Sequence, residues 1–210
     1  MHQGPLITLT VSTDSRRLLS GSEDGFARLW DLETFALVVS PIEHGGRVSA
    51  VALSQDGKTA LSGGSDGAAV LYDTATGKLR CPPLQHRGRV SSCAFSLDGE
   101  FCVTGSQHGE VQLWHVATGN PVGPPFQHLA EVPCVQFSQD GRAVVSAGLD
   151  FEARVWRLLD PPTQTPARIT TWVQTITRLE ITDDRVRYLT PTQWRERRSK
   201  LDKMGGAVLP

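Results

Sequence analysis

The eleven residues Gly21–Asp31 read GSEDGFARLWD, and the same sentence returns at Gly63–Asp73, Gly105–His115 and Ala147–Arg157. The spacing is 42 residues each time, with no insertion. A period this strict is the signature of a repeat architecture, and it limits the fold before any local reading begins. Four series hold the register. The imidazoles are His2, His44, His86 and His128, and the turn carboxylates are Asp14, Asp56, Asp98 and Asp140. The hydroxyls are Ser20, Ser62, Thr104 and Ser146, and the aromatics are Trp30, Tyr72, Trp114 and Trp156.

The second unit shows what each copy builds. VSAVALS (48–54) is a short β-rich run, and QDGK (55–58) is a turn with Gly57 free to take positive φ. TALSGG (59–64) predicts a second strand, SDG (65–67) a tight turn, and AAVLYD (68–73) a third strand. After the turn TATGK (74–78), KLRCPPL (78–84) predicts a fourth, edge strand, where proline need not donate. Four short antiparallel strands per unit describe a propeller blade. The fold class is therefore all-β.

These residues resemble the WD40 repeat family, through the His that opens each unit, the SxDG turn and the closing Trp-Asp or its variants. The resemblance covers residues 2 to about 160, as repeats of about 2–43, 44–85, 86–127 and 128–160. It implies a WD40-type β-propeller segment of four four-stranded antiparallel blades. It also implies a side-chain hydrogen-bond chain within each blade. That chain is His2, Ser20, Asp24 and Trp30 in the first, and His44, Ser62, Asp66 and Tyr72 in the second. His86, Thr104 and Trp114 serve the third, and His128, Ser146, Asp150 and Trp156 the fourth. An imidazole that links a turn carboxylate to a strand hydroxyl satisfies buried polar groups, so the motif is architecture. Several copies depart from it. Tyr72 stands for Trp, His108 for the turn Asp, His115 and Arg157 for the final Asp, and Phe151 for the turn Gly. These departures predict looser polar networks in blades three and four than in blade one.

Function is read from what the repeat leaves free. Arg47, Arg89 and Glu131 occupy one repeat position, with Pro5 in blade one. In the family this position opens the innermost strand on the face where partners dock, and position-matched residues that vary in charge suit a binding surface. The expected function is a non-catalytic protein–protein interaction scaffold with unnamed protein partners. The alternatives are a propeller hydrolase using the central channel and nucleic-acid binding through a basic tail. GGSDG (63–67) matches the G-x-S-x-G nucleophile elbow, but that motif needs a strand-to-helix turn, and here it joins two strands. His86, His108 and His115 could supply three zinc ligands, although His86 belongs to the periodic series. The glycines mark turns and precede no helix, so no phosphate loop is present and no cofactor is expected.

Charge divides the chain. Residues 1–160 carry 12 Lys+Arg against 17 Asp+Glu, a net of −5, and residues 161–210 carry 9 against 5, a net of +4. The acidic larger part would repel phosphate, so nucleic acid is not the expected partner. No apolar run approaches the ~18 residues of a membrane span. Cys81, Cys93, Cys102 and Cys134 form no CxxC pair and read as buried reduced thiols of a cytoplasmic protein.

Residues 161–210 leave the period and predict a linker and a small helix–hairpin–helix tail. Helical spacing runs over 168–180, and a hairpin turns at Asp183–Asp184. A capped helix follows over 190–206, with Thr190 as N-cap and Gln193 completing a capping box. Its apolar side (Trp194, Leu201, Met204) is expected to cover an exposed blade face, as repeat arrays require. The tail also resembles the ending of large bacterial WD40-repeat proteins, in which the propeller often follows a kinase domain. Propellers of this family usually have seven blades, so four leave two faces uncovered. Three arrangements resolve this: a piece of a longer regulatory protein with blades upstream, two chains closing one eight-blade ring, or an open arc capped by the tail. The first is the expectation.

Overall fold

The structure, a computed structural model, describes residues 1–158, 179–182, 185–188, 190, 192, 193, 195, 196 and 199. The chain divides into Met1–Leu158 and Leu159–Pro210.

The first unit is all-β. Blade one is β1 (Leu6–Val11), β2 (Arg17–Ser22), β3 (Phe26–Asp31) and β4 (Ile42–Glu43), paired in sequence order. Blade two repeats this with β5 (Val48–Leu53), β6 (Thr59–Gly64), β7 (Ala68–Asp73) and β8 (Leu84–Gln85). Blade three has β9 (Val90–Phe95), β10 (Phe101–Ser106), β11 (Glu110–His115) and β12 (Phe126–Gln127). In blade four the described strands are β13 (Cys134–Phe137), β14 (Ala143–Ala147) and β15 (Ala153–Arg157). A fourth strand there would fall beyond Leu158, outside the described residues.

The outer strands are shorter than the sequence suggests. The run 78–84 contributes only a bridge from Leu79 to Tyr72, and the two-residue strand begins at Leu84. Pro82 and Pro83 lie between them and have no N–H to give, so the ladder breaks there. The turns are as expected. Gly57 has φ 68° and Gly67 φ 81°.

The core is three slabs, one at each junction between neighbouring blades. Leu19, Ala27 and Leu29 of blade one meet Val48, Val51 and Tyr72 of blade two. Leu61, Leu71 and Leu84 meet Val90, Cys102 and Trp114 at the next junction, and Val103, Val111 and Leu113 meet Val132, Val135 and Val144 at the third. No blade is thick enough to bury apolar surface by itself, so each relies on its neighbour. A glycine makes each close approach feasible. A Cβ at Gly21 would lie 2.6 Å from Val48 Cγ1, and one at Gly63 would lie 2.5 Å from Val90 Cγ1. All four thiols are free, but only Cys102 is buried. Cys134 is exposed because it alternates with Val135, which takes the core side of β13.

The second unit contains a hairpin, β16 (Leu179–Thr182) against β17 (Arg185–Tyr188), with Leu179 opposite Tyr188. The predicted turn Asp183–Asp184 lies outside the described residues, as does the earlier helical run except for Leu179 and Glu180, which are strand. Residues 192, 193, 195, 196 and 199 are helical. Thr190 N–H donates to Gln193 Oε1 at 3.0 Å, and Gln193 N–H donates to Thr190 Oγ1 at 3.4 Å, which is a capping box. Trp194, Leu201 and Met204, and with them the expected cap, lie outside the described residues. Among the described residues, no helix is long and apolar enough to cross a membrane.

Candidate functional site: the blade networks and the loop face

Blade one brings His2, Ser20, Asp24 and Trp30 together. Trp30 Nε1–H donates to Ser20 Oγ at 2.8 Å, and Ser20 Oγ lies 2.7 Å from His2 Nε2. His2 Nδ1 lies 3.0 Å from Asp24 Oδ2. One proton direction satisfies every member: indole to hydroxyl, hydroxyl to Nε2, Nδ1–H to carboxylate. Burial by itself would raise the Asp24 pKa. The Gln3 N–H, the Arg28 guanidinium, the Phe26 N–H and His2 outweigh it and hold the carboxyl well below the usual range.

Blade four is as complete. Trp156 Nε1–H donates to Ser146 Oγ at 2.7 Å, His128 Nε2 lies 2.7 Å from that oxygen, and His128 Nδ1 lies 2.9 Å from Asp150 Oδ2. The Leu129 N–H and then His128 lower the Asp150 pKa to about 2, against an opposing effect of burial. The predicted loosening of blade four is thus incorrect, because Phe151 and Arg157 replace residues outside the chain of hydrogen bonds.

Blade three is looser, as its sequence implies. His86 and Trp114 meet Thr104 Oγ1 at 2.8 Å each, but the turn offers His108 in place of a carboxylate. Glu110 Oε2 comes only to 4.0 Å of His86 Nδ1. Burial lowers the His86 pKa to about 4.

Blade two departs furthest. His44 Nε2 reaches Ser62 Oγ at 2.8 Å, yet Nδ1 stands 3.7 Å from Asp66 and is buried without a hydrogen bond. The Asp66 side chain is 24% exposed, against 7% for Asp24 and 4% for Asp150. Burial lowers the His44 pKa, with Asp66 opposing it. The Tyr72 hydroxyl is also buried without a partner at normal geometry. Its burial raises the pKa, and Ser62 offsets this only in part.

A second polar device is legible only once the structure is seen. Ser12, Ser54, Ser96 and Ser138 donate to Asp14, Asp56, Asp98 and Asp140 at 2.6, 2.7, 2.6 and 2.5 Å. Each hydroxyl also accepts an N–H five residues on, at 2.9 Å, which locks the first turn of every blade. The signal was present, since these serines keep the 42-residue period too.

The loop face joins two of the three variable residues. Arg89 donates to Glu131 Oε1 at 2.5 Å, tying blade three to blade four. Arg47, half-buried at the equivalent place, has no ion pair among the described residues. Ser65 sits in the turn between β6 and β7, which gives no nucleophile elbow. Among the described residues no His, Cys, Asp and Glu cluster could hold a metal ion.

The architecture and polar chains together define a class, the WD40-type blade array. The family model described as "WD domain, G-beta repeat" matches residues 1–31, 36–73, 79–115 and 119–157, and the chain belongs to that family. Among solved structures it is similar to the crystal structure of the computationally designed Ika4 protein. That likeness has 26% identity and a TM-score of 0.68, over 76% of this chain and 94% of that chain. No curated protein matches the sequence significantly.

Proposed function

We propose that the chain is a non-catalytic scaffold that binds a protein partner across the loop face bearing Arg47, Arg89 and Glu131, as a regulatory part of a cytoplasmic protein. Repeats of this family generally mediate protein–protein interaction. The observation that carries the reading is the charge variation at one repeat position. Blade one presents Pro5, blade two an Arg47 with no ion pair among the described residues, and blades three and four a paired Arg89 and Glu131. Residues that build the blade repeat, whereas these differ. Arg47 offers fork-shaped donors to an acidic or carbonyl-rich segment. Four free thiols support a reducing compartment.

The test immobilises the intact chain, recovers bound proteins from cell extract and compares Arg47→Glu with Lys58→Glu. Lys58 sits at the other end of the same inner strand region, in the turn after β5. The proposal expects Arg47→Glu to lose a protein that Lys58→Glu retains. Identical recovery by both variants, or turnover of a substrate with no protein bound, would overturn it.

A further inference from the structure

In blade four Arg154 is held from several sides. Its Nε and Nη2 donate to Glu152 Oε2 at 2.8 and 2.5 Å, and its Nη1 donates to the Gln127 carbonyl. Its guanidinium carbon lies 5.8 Å from the centre of the Trp156 ring, and Asp150 adds a second carboxylate at 3.6 Å. A carboxylate for the planar fork, a carbonyl and an aromatic face are what a guanidinium needs to be recognised.

One repeat earlier the same receptors stand without their arginine. Glu110, Gln85 and Trp114 hold the places of Glu152, Gln127 and Trp156, while Gln112 stands for Arg154 and His108 for Asp150. Glu110, Gln85, Trp114 and Gln112 line an open cavity of about 340 Å³. Gln112 does not fill it, because its amide donates to the Leu113 and Gly123 carbonyls at 2.9 and 3.2 Å. Arg87 and His86 border the same cavity, but Arg87 Nε and His86 Nδ1 stand 3.9 and 4.0 Å from the Glu110 carboxylate, beyond hydrogen-bond distance. The Arg87 side chain is 88% exposed and so is not seated there. Glu110 is 19% exposed against 55% for Glu152, which leaves its charge less screened. Blades one and two carry Phe26 and Ala68 in place of the glutamate, so they do not build the set. The cavity lies between β8 and β11, in the middle of the array, and neither end of the chain leaves it open.

We propose that this cavity is a socket for an arginine side chain presented by a partner protein. The guanidinium forks onto Glu110, turns an N–H toward Gln85 and lies against Trp114, as Arg154 does with its own blade. A lysine ammonium has neither the plane nor the fork for this arrangement. The socket uses none of Arg47, Arg89 and Glu131, so it and the loop-face reading can fail separately.

The test titrates N-acetyl-arginine N-methylamide into the intact isotope-labelled chain and follows the indole N–H signals of Trp114 and Trp156 by NMR. N-acetyl-lysine N-methylamide is the control. The arginine probe shifts the Trp114 signal saturably and leaves Trp156 in place, with a Kd on the order of millimolar, as one side chain without the rest of a partner gives. The lysine probe binds at least about fivefold more weakly. Gln112→Arg, which restores the guanidinium of the repeat, abolishes the shift, and Glu110→Gln does the same. An absent or unsaturable shift at Trp114, an equal response to the lysine probe, or a shift that survives Gln112→Arg overturns the proposal. So does binding that appears only in Arg87→Ala, which would make Arg87 the occupant.

Discussion

Tyr72 occupies the place where three other blades carry tryptophan, and its hydroxyl is buried with no partner at normal geometry. Removing an unpaired buried hydroxyl leaves nothing unsatisfied behind, so Tyr72→Phe should be neutral or stabilise by up to about 1 kcal/mol. Trp114→Phe is the opposite case. It deletes the donor to Thr104 Oγ1 and part of a packed ring, and should cost about 1–3 kcal/mol. Urea midpoints for the two variants check the contrast. His86 supplies a pH dependence of definite sign. Its pKa is about 4 in the folded chain against 6.5 when unperturbed, so the unfolded chain takes up a proton first as pH falls. Stability therefore declines from about pH 6.5 downward, and the contribution is lost by pH 4. Between pH 7 and 5 the wild-type urea midpoint should fall further than that of His86→Asn. The identities of the polar chain were readable in sequence, but its lengths were not. Asp24, Asp66 and Asp150 occupy one repeat position, yet Asp66 stands 3.7 Å from its histidine: Arg28 and Arg154 stand four residues on from Asp24 and Asp150, at 2.7 and 3.6 Å, where blade two has Val70.

At the scale of strands and turns, the glycines of the second strands carry the most testable statement. Gly63 is there because Val90 is. Gly63→Ala should destabilise by about 1–3 kcal/mol, since its Cβ would lie 2.5 Å from Val90 Cγ1 in a close-packed slab. Val90→Ala alone also destabilises, by opening a cavity. In combination the two should cost clearly less than their sum, because the second removes the atom that the first strikes. A denaturation double-mutant cycle measures this, and strict additivity would refute the junction geometry. The long strands were legible from alternation and turn chemistry, with β6 and β7 falling on the predicted residues. The outer strands were not, because proline content suggests an edge without saying where the ladder breaks. The Arg89–Glu131 pair was also hidden, because residues 42 apart become neighbours only when blades stack side by side.

At the scale of the molecule, two sources of stability point to different blades. Blades one and four have complete His–Ser–Asp–Trp chains, and blades two and three do not. Blades two and three, however, are covered on both sides by apolar slabs, and every residue of β6 is buried. We hold that the slabs dominate. Apolar burial contributes about 1.5–3 kcal/mol for each large side chain, while one more hydrogen bond nets about 1 kcal/mol. The polar chains then fix turn geometry, and each blade's persistence depends on its neighbours. Native-state hydrogen exchange of the intact chain, resolved by peptide, decides the matter. The slab account predicts slowest exchange in β6, β7 and β10, with β2, β3, β14 and β15 faster. Slowest exchange in blades one and four would contradict it and assign the stability of the fold to the polar chains.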